Sequence, residues 1–336
     1  MAGLPRQGRG RPSKEAGERY EREIIAFAKR IVEIRSGLDF APSSRGWAYV
    51  LEGEGMITKG EFDGAQLLIN QCRKNGTLPL NICSEDRRRA ADGAERLDGD
   101  VDEELALWDR LLLGAPERYT PISFWDDQEV YVEIAVEKID LKLLFRPVCA
   151  EYRIMIQNIA GWSDLHARAG MMERFAEHEA AGRRPILLYC GDHDPGGLHI
   201  SDALRSNLED MVGAVGWHPD NLIIDRFGLN YDDIVRLGLT WIDNLETGSG
   251  KSLADRHHSD HHKPYVQSYI RQFGARKCEA NALIVRPGEA REMCRQAILK
   301  YLPGDAPSRY EESLTVPRAE LREALVERYQ LTKADQ

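Results

Sequence analysis

Ile186-Leu187-Leu188-Tyr189-Cys190-Gly191-Asp192-His193-Asp194-Pro195-Gly196-Gly197 is the stretch on which the fold turns. Five residues of a buried strand run straight into two acids one residue apart, then into a Pro-Gly-Gly turn. Side chains two apart on an extended segment point the same way, so Asp192 and Asp194 project from one side at the strand's end. Paired carboxylates beside a flexible turn suit a hard divalent cation better than a structural core. An ordinary acidic strand-to-loop turn has the same letters, so a second sign is needed. Val132-Glu133-Ile134-Ala135-Val136-Glu137-Lys138 supplies it, as an upstream strand that also ends in acid.

Around these two strands, short apolar runs alternate with helix-period segments. The runs are Val130–Val136, Arg153–Gln157, Pro185–Cys190 and Leu222–Asp225, separated by Leu141–Leu144 onward, Trp162–His178 and Leu198–Val212. The alternation predicts an α/β domain with a parallel, doubly wound sheet, in which ligands gather outside the carboxyl ends of strands. Glu137, Asp192 and Asp194 fall there.

A Glu closing the first strand and Asp-x-Asp-Pro-x-Gly closing a later one resemble a Toprim domain. With Glu137-Lys138, Gly161-Trp162-Ser163-Asp164 and Cys278-Glu279-Ala280-Asn281-Ala282-Leu283, the chain resembles the topoisomerase VI A subunit, the meiotic double-strand-break transesterases and the stand-alone Mini-A-like proteins. The likeness spans roughly residues 16 to 305. It implies a multi-domain α/β protein, an N-terminal helical winged-helix domain followed by a Toprim-type, Rossmann-like sheet.

The N-terminal part supports a helical reading in its own right. Residues 16 to about 36 carry Ile24, Ile25, Phe27, Ala28, Ile31, Val32 and Ile34 at helical spacing. Ser43-Ser44 can cap a second helix through about Glu52, and Thr58 or Lys59 starts a third, with Phe62, Ala65, Leu67, Leu68, Ile69 and Cys72 inside. Gly76 stops it, and Leu78–Cys83 reads as a short extended wing before Arg87-Arg88-Arg89. The expected division is a tail at 1–15, a winged-helix domain at 16–96, a linker at 97–125, the Toprim domain at 126–305 and a C-terminal helical extension at 306–336. Arg9-Gly10-Arg11-Pro12 in the tail, expected to be disordered, matches the core of an AT-hook, whose arginines enter a narrow minor groove. Arg9, Arg11, Arg73, Lys74, Arg87, Arg88 and Arg89 are the expected contacts to double-stranded DNA.

Arg45 and Tyr49 stand four apart on the second helix and share a face. A guanidinium there can grip a phosphate bidentately and favour the phenolate, whose ordinary pKa near ~10 hinders attack. The resembled family has an Arg four residues before its transesterifying Tyr, so the likeness implies that Tyr49 is the nucleophile. It often has two adjacent tyrosines or Phe-Tyr, where this chain has Ala48-Tyr49, and Trp47 and Tyr49 are equally compatible with plain packing. The likeness further implies Mg²⁺ on Asp192 and Asp194, with Glu137 completing the site or donating a proton to the leaving oxygen. It implies a homodimer in which the Tyr of one protomer meets the metal site of the other, and for strand passage a GHKL-type ATPase partner like the B subunit. The rival expectations are a hydrolytic nickase or nuclease with a structural Tyr49, and a DNA-binding protein that does not cut.

Composition limits these readings without choosing among them. The chain has 336 residues, 45 Lys plus Arg against 55 Asp plus Glu, and a formal charge of −10, so any DNA-binding face is local. Six scattered cysteines without a Cys-x-x-Cys pair suggest reduced thiols in a cytoplasm. No apolar run reaches the ~20 residues of a membrane span. Thr247–Ser252 misses the first glycine of a P-loop, and His257–His262 lacks cysteine partners for zinc, so neither is taken as a site. His193, between the two acids, points to the opposite face and is expected to pack, as is His199.

Overall fold

The computed structural model describes residues 4–6, 13–84, 100–159, 165–247 and 251–330. Its centre is a four-stranded, all-parallel sheet made of β1 (Val130–Val136), β2 (Met155–Asn158), β3 (Arg184–Cys190) and β4 (Ile223–Gly228), in the order β2-β1-β3-β4. Apolar runs in β1 and β3 suit strands covered on both faces, and every residue of β3 after Arg184 is buried. Glu133 interrupts β1 with no exposed surface. Arg174 meets both its oxygens at 2.6 and 2.8 Å, and the Tyr131 hydroxyl donates to it at 2.8 Å, which is what a buried charge requires.

The chain leaves β1 for β2 on one side and then crosses to β3 on the other. The strand order therefore reverses between β1 and β3, where doubly wound sheets open their ligand crevice. Val136 pairs with Cys190, so β1 and β3 end level, and Glu137 emerges beside Gly191 and Asp192. Expected and observed strand ends agree within two or three residues throughout.

Ahead of the sheet lie α1 (Lys14–Ser36), α2 (Ser44–Gly53) and α3 (Phe62–Lys74). Phe27, Ala28 and Ile31 of α1 are buried, whereas Ile25 and Val32 are exposed, so the inward stripe is narrower than the sequence suggested. Leu67 of α3, expected inside, is 72% exposed. Gly76 ends α3 with φ +80°, a conformation that favours glycine. The expected wing is not a strand: Leu80–Ile82 is a single 3-10 turn, and Arg73 donates to the Leu80 carbonyl at 3.1 Å. The expected linker is also more ordered than its acidity suggested. Asp100 caps α4 (Val101–Leu113), and a short helix follows at Ala115–Arg118. Residues 306–330 are helical as expected, in Ala306–Ser313 and Thr315–Tyr329.

One continuous core joins the helices to the sheet, running from Phe27 through Trp47 and Tyr49 to the β1 and β3 side chains. A buried carboxylate reinforces this junction. Asp140, at the start of the helix Ile139–Glu151 that follows β1, accepts from Ser43 N at 2.6 Å and from Ser43 Oγ at 2.5 Å. Ser43 Oγ also accepts from Gly46 N at 3.0 Å and so caps α2. A Cβ at Gly46 would sit 2.9 Å from an Asp140 oxygen, so this approach needs glycine. Among the described residues no helix is long and apolar enough to cross a membrane.

Candidate functional site

At the β1–β3 switch point, the level strand ends bring Glu137, Lys138 and Asp192 together. Glu137 Oε2 accepts from Asp192 N at 2.9 Å and from the Tyr189 hydroxyl at 3.3 Å. Lys138 donates to Glu137 Oε1 at 2.9 Å and lies 2.8 Å from Asp192 Oδ2, bridging the two carboxylates. Asp192 Oδ1 accepts from Ala280 N at 2.8 Å. A side chain at Gly191 would collide with the Tyr189 hydroxyl and crowd Glu137, so this glycine lets the phenol lie across the strand end.

Two carboxylates sharing one ammonium do not titrate alike. Asp192 is the more deeply buried. Desolvation, then the neighbouring Glu137 charge, pushes its pKa up. Burial also raises Glu137, but Lys138 and the Asp192 amide outweigh it and hold that carboxyl below its usual range. A carboxyl held low favours its charged form, as a cation ligand requires.

Asp194 does not join the pair. Its Oδ1 accepts from Gly197 N at 2.6 Å and caps the turn Pro195–Leu198. Among the described residues no group of three or more His, Cys, Asp or Glu side chains stands ready to hold a metal. The expected three-carboxylate cluster is therefore not assembled in this conformation. Glu137 and Asp192 nonetheless converge on a single cation, the Lys138 ammonium, and Mg²⁺ usually takes only one or two protein carboxylates and keeps several waters. Glu137 and Asp192 are therefore the residues that could hold such an ion in place of the Lys138 ammonium.

Half-buried Arg226 of β4 is a brace that no local sequence pattern marks out. Its guanidinium donates to the carbonyls of Gly197 (2.9 Å), Asp192 (3.0 Å) and Leu229 (2.7 Å), fixing the acidic loop by its backbone. His193 behaves as expected. It is buried among Tyr269, Phe273, Trp241 and Tyr231, and its Nδ1 lies 3.0 Å from the Tyr269 hydroxyl. His199 is exposed instead of packed, with its ring beside Tyr265.

Tyr49 and Arg45 do share one face of α2, and both reach the same carboxylate. The Tyr49 hydroxyl donates to Glu279 Oε2 at 2.6 Å, and Arg45 Nη2 lies 3.1 Å from both Glu279 oxygens. Tyr49 has no exposed surface and packs edge-on against Phe62, centroids 4.8 Å apart. The Lys59 ammonium stands 5.3 Å from its ring. Burial, then Glu279, pushes the Tyr49 pKa well up, so Arg45 does not make a ready phenolate here. Glu279 is raised by burial, but Tyr49 and Arg45 outweigh that and hold it low.

Residues 278–280 connect the two clusters. Cys278 pairs with His193 through both backbone bonds (2.8 and 3.0 Å), Glu279 receives Tyr49, and Ala280 N binds Asp192. Glu279 lies in a stretch quoted for its likeness but given no role, because the acid that faces Tyr49 is 230 positions away. Of the expected DNA contacts, Arg73 is engaged by Leu80 and Asn70, and Lys74 lies in the last turn of α3. Arg9, Arg11, Arg87, Arg88 and Arg89 lie outside the described residues, as do Gly161–Asp164. No family model matches this sequence, and no curated protein matches it.

Proposed function

We propose that the chain is a DNA-binding, Mg²⁺-dependent strand-cleaving transesterase, similar in mechanism to the topoisomerase VI A subunit, with Tyr49 as nucleophile and a 5′-phosphotyrosyl product. One observation carries this assignment. The helix bearing Arg45 and Tyr49 is tied, through residues 278–280, to the Glu137–Asp192 pair at the sheet's switch point. A nucleophile, a cation for the phosphate and an acidic pair for a metal thus lie along one edge, as phosphoryl transfer requires.

Glu137 and Asp192 would hold Mg²⁺, joined by Asp194 if its cap to Gly197 opens. A cation there supplies charge neutralisation for the scissile phosphate. Arg45, 42% exposed at the mouth of the site, orients that phosphate toward Tyr49. Duplex DNA and an ATPase partner for strand passage belong to the same proposal, as does a homodimer, although here Tyr49 stands beside the metal pair of its own chain and not the partner's. A different reading, metal-assisted hydrolysis with a structural tyrosine, draws support from the complete burial of Tyr49.

Denaturing capture of labelled duplex DNA in Mg²⁺ separates the readings. A covalent adduct that Tyr49→Phe abolishes supports transesterification. Cutting that survives Tyr49→Phe supports hydrolysis, and metal-dependent binding without cutting supports a non-cleaving protein.

A further inference from the structure

We infer that Glu279 is the proton acceptor for Tyr49, supplied within the same chain, and that Arg45 gates it. This deepens the transesterase assignment and rests on it. A buried phenol can be satisfied more cheaply by a backbone carbonyl than by a carboxylate that must itself be desolvated. Here the hydroxyl donates to a carboxylate oxygen at 2.6 Å, within the range of a general base and its proton. Among the described residues, Tyr49 and Arg45 are the side chains bonded to the Glu279 oxygens.

An incoming phosphate competes with Glu279 for Arg45. As the guanidinium turns to the phosphate, Glu279 loses its cation and becomes the stronger base, still bonded to Tyr49. The same movement uncovers the hydroxyl, which Arg45 and the surrounding core otherwise shut in. Tyr49 Oη then bonds to phosphorus as the bond from phosphorus to the 3′-oxygen breaks. The phenol proton passes to Glu279, and the leaving 3′-oxygen takes a proton from water. Resealing runs backward, with Glu279 returning the proton to Tyr49.

The test is single-turnover adduct formation on labelled duplex DNA in Mg²⁺, followed against pH for the full chain and for Glu279→Gln, Glu279→Asp and Tyr49→Phe. General bases contribute roughly 10²–10⁴-fold, so Glu279→Gln should lose about that much rate while DNA affinity holds. Its rate should climb with rising pH, because the phenol must then lose its proton unaided, where the unmodified chain is level. Glu279→Asp should recover part of the rate with the level profile. A uniform loss in Glu279→Gln with an unchanged profile would mean a structural role and overturn the inference, as would an undiminished rate. If Glu279→Gln melts out, Glu279→His decides instead: a rate that rises with deprotonation of an imidazole near ~6.5 supports the base role, and a level profile overturns it. Adduct or cutting that persists in Tyr49→Phe sinks the transesterase assignment itself, a separate result from a tyrosine-dependent adduct indifferent to residue 279.

Discussion

The molecule holds two acid clusters joined through Glu279 and Ala280, and different partners govern them. At the sheet edge, Glu137 and Asp192 are bridged by Lys138, the residue after Glu137 beyond the end of β1. On the helical side, Glu279 is clasped by Arg45 and Tyr49, both from α2. The first cluster is built from strand ends in register, with the Ala280 amide its one tie outside the sheet's own loops. The second exists only because α2 docks, with Ser43 fastened to Asp140 and the α2 side chains set in a shared core. Disturbing the first should therefore remove chemistry and spare structure. Disturbing the second should change both.

The largest effect is expected at the sheet edge. Asp192→Asn removes the carboxylate nearest both Lys138 and the Ala280 amide, and should abolish metal-dependent cutting in a gel assay. DNA affinity, measured by mobility shift, should hardly move. Equal loss of both would detach Asp192 from the metal role. Lys138→Met sharpens the same contrast. With the ammonium gone, Mg²⁺ meets no resident competitor, and its titration by calorimetry should tighten, whereas looser binding would make Lys138 part of the metal site and not its rival.

Next in size is a stability effect that leaves the acids alone. Arg174→Ala strips the partner from Glu133, which has no exposed surface, and an uncompensated buried charge costs about 3–5 kcal/mol. Chemical denaturation should report a loss of that order. Burial already raises the Glu133 pKa, and without Arg174 the side chain should take up a proton instead of staying charged. The measured deficit should then shrink at low pH.

The contrast between the clusters also marks what the sequence made legible. Period and burial are local properties, so Val130–Val136 and the strand ending at Cys190 could be found from their own letters, and with them Glu137, Asp192 and Asp194. Ser43 as a cap and Gly76 as a stop are likewise local chemistry. Glu279, Arg226 and Asp140 were not legible, because each acts on a residue dozens to hundreds of positions away and sits in an unremarkable local pattern. The wing failed for a related reason. Leu78–Cys83 has strand-like letters, but Pro79 and the Arg73–Leu80 bond turn it into a single helical turn, and nothing within the six residues reports that partner. Asp194 was placed correctly along the chain, yet its side chain follows a different local rule, the N-cap of Pro195–Leu198, which competed with metal binding for the same oxygen.

The smallest effect concerns proton linkage on the helical side. Glu279 has its pKa lowered in the folded chain from an ordinary value of 4.5, because Tyr49 and Arg45 outweigh its burial. A carboxyl held low binds fewer protons folded than unfolded at mildly acid pH. It therefore adds stability that is complete above about 4.5 and drains away as pH falls through the lower folded value. Thermal melts should show the native chain losing Tm across that acid window. Glu279→Gln cannot titrate, so it should begin lower at neutral pH and lose less on acidification, the two curves closing together. Parallel curves would mean that the clasp on Glu279 is too loose to favour its charged form. Arg45 would then be free for phosphate even before DNA arrives, and the gate would have nothing to open.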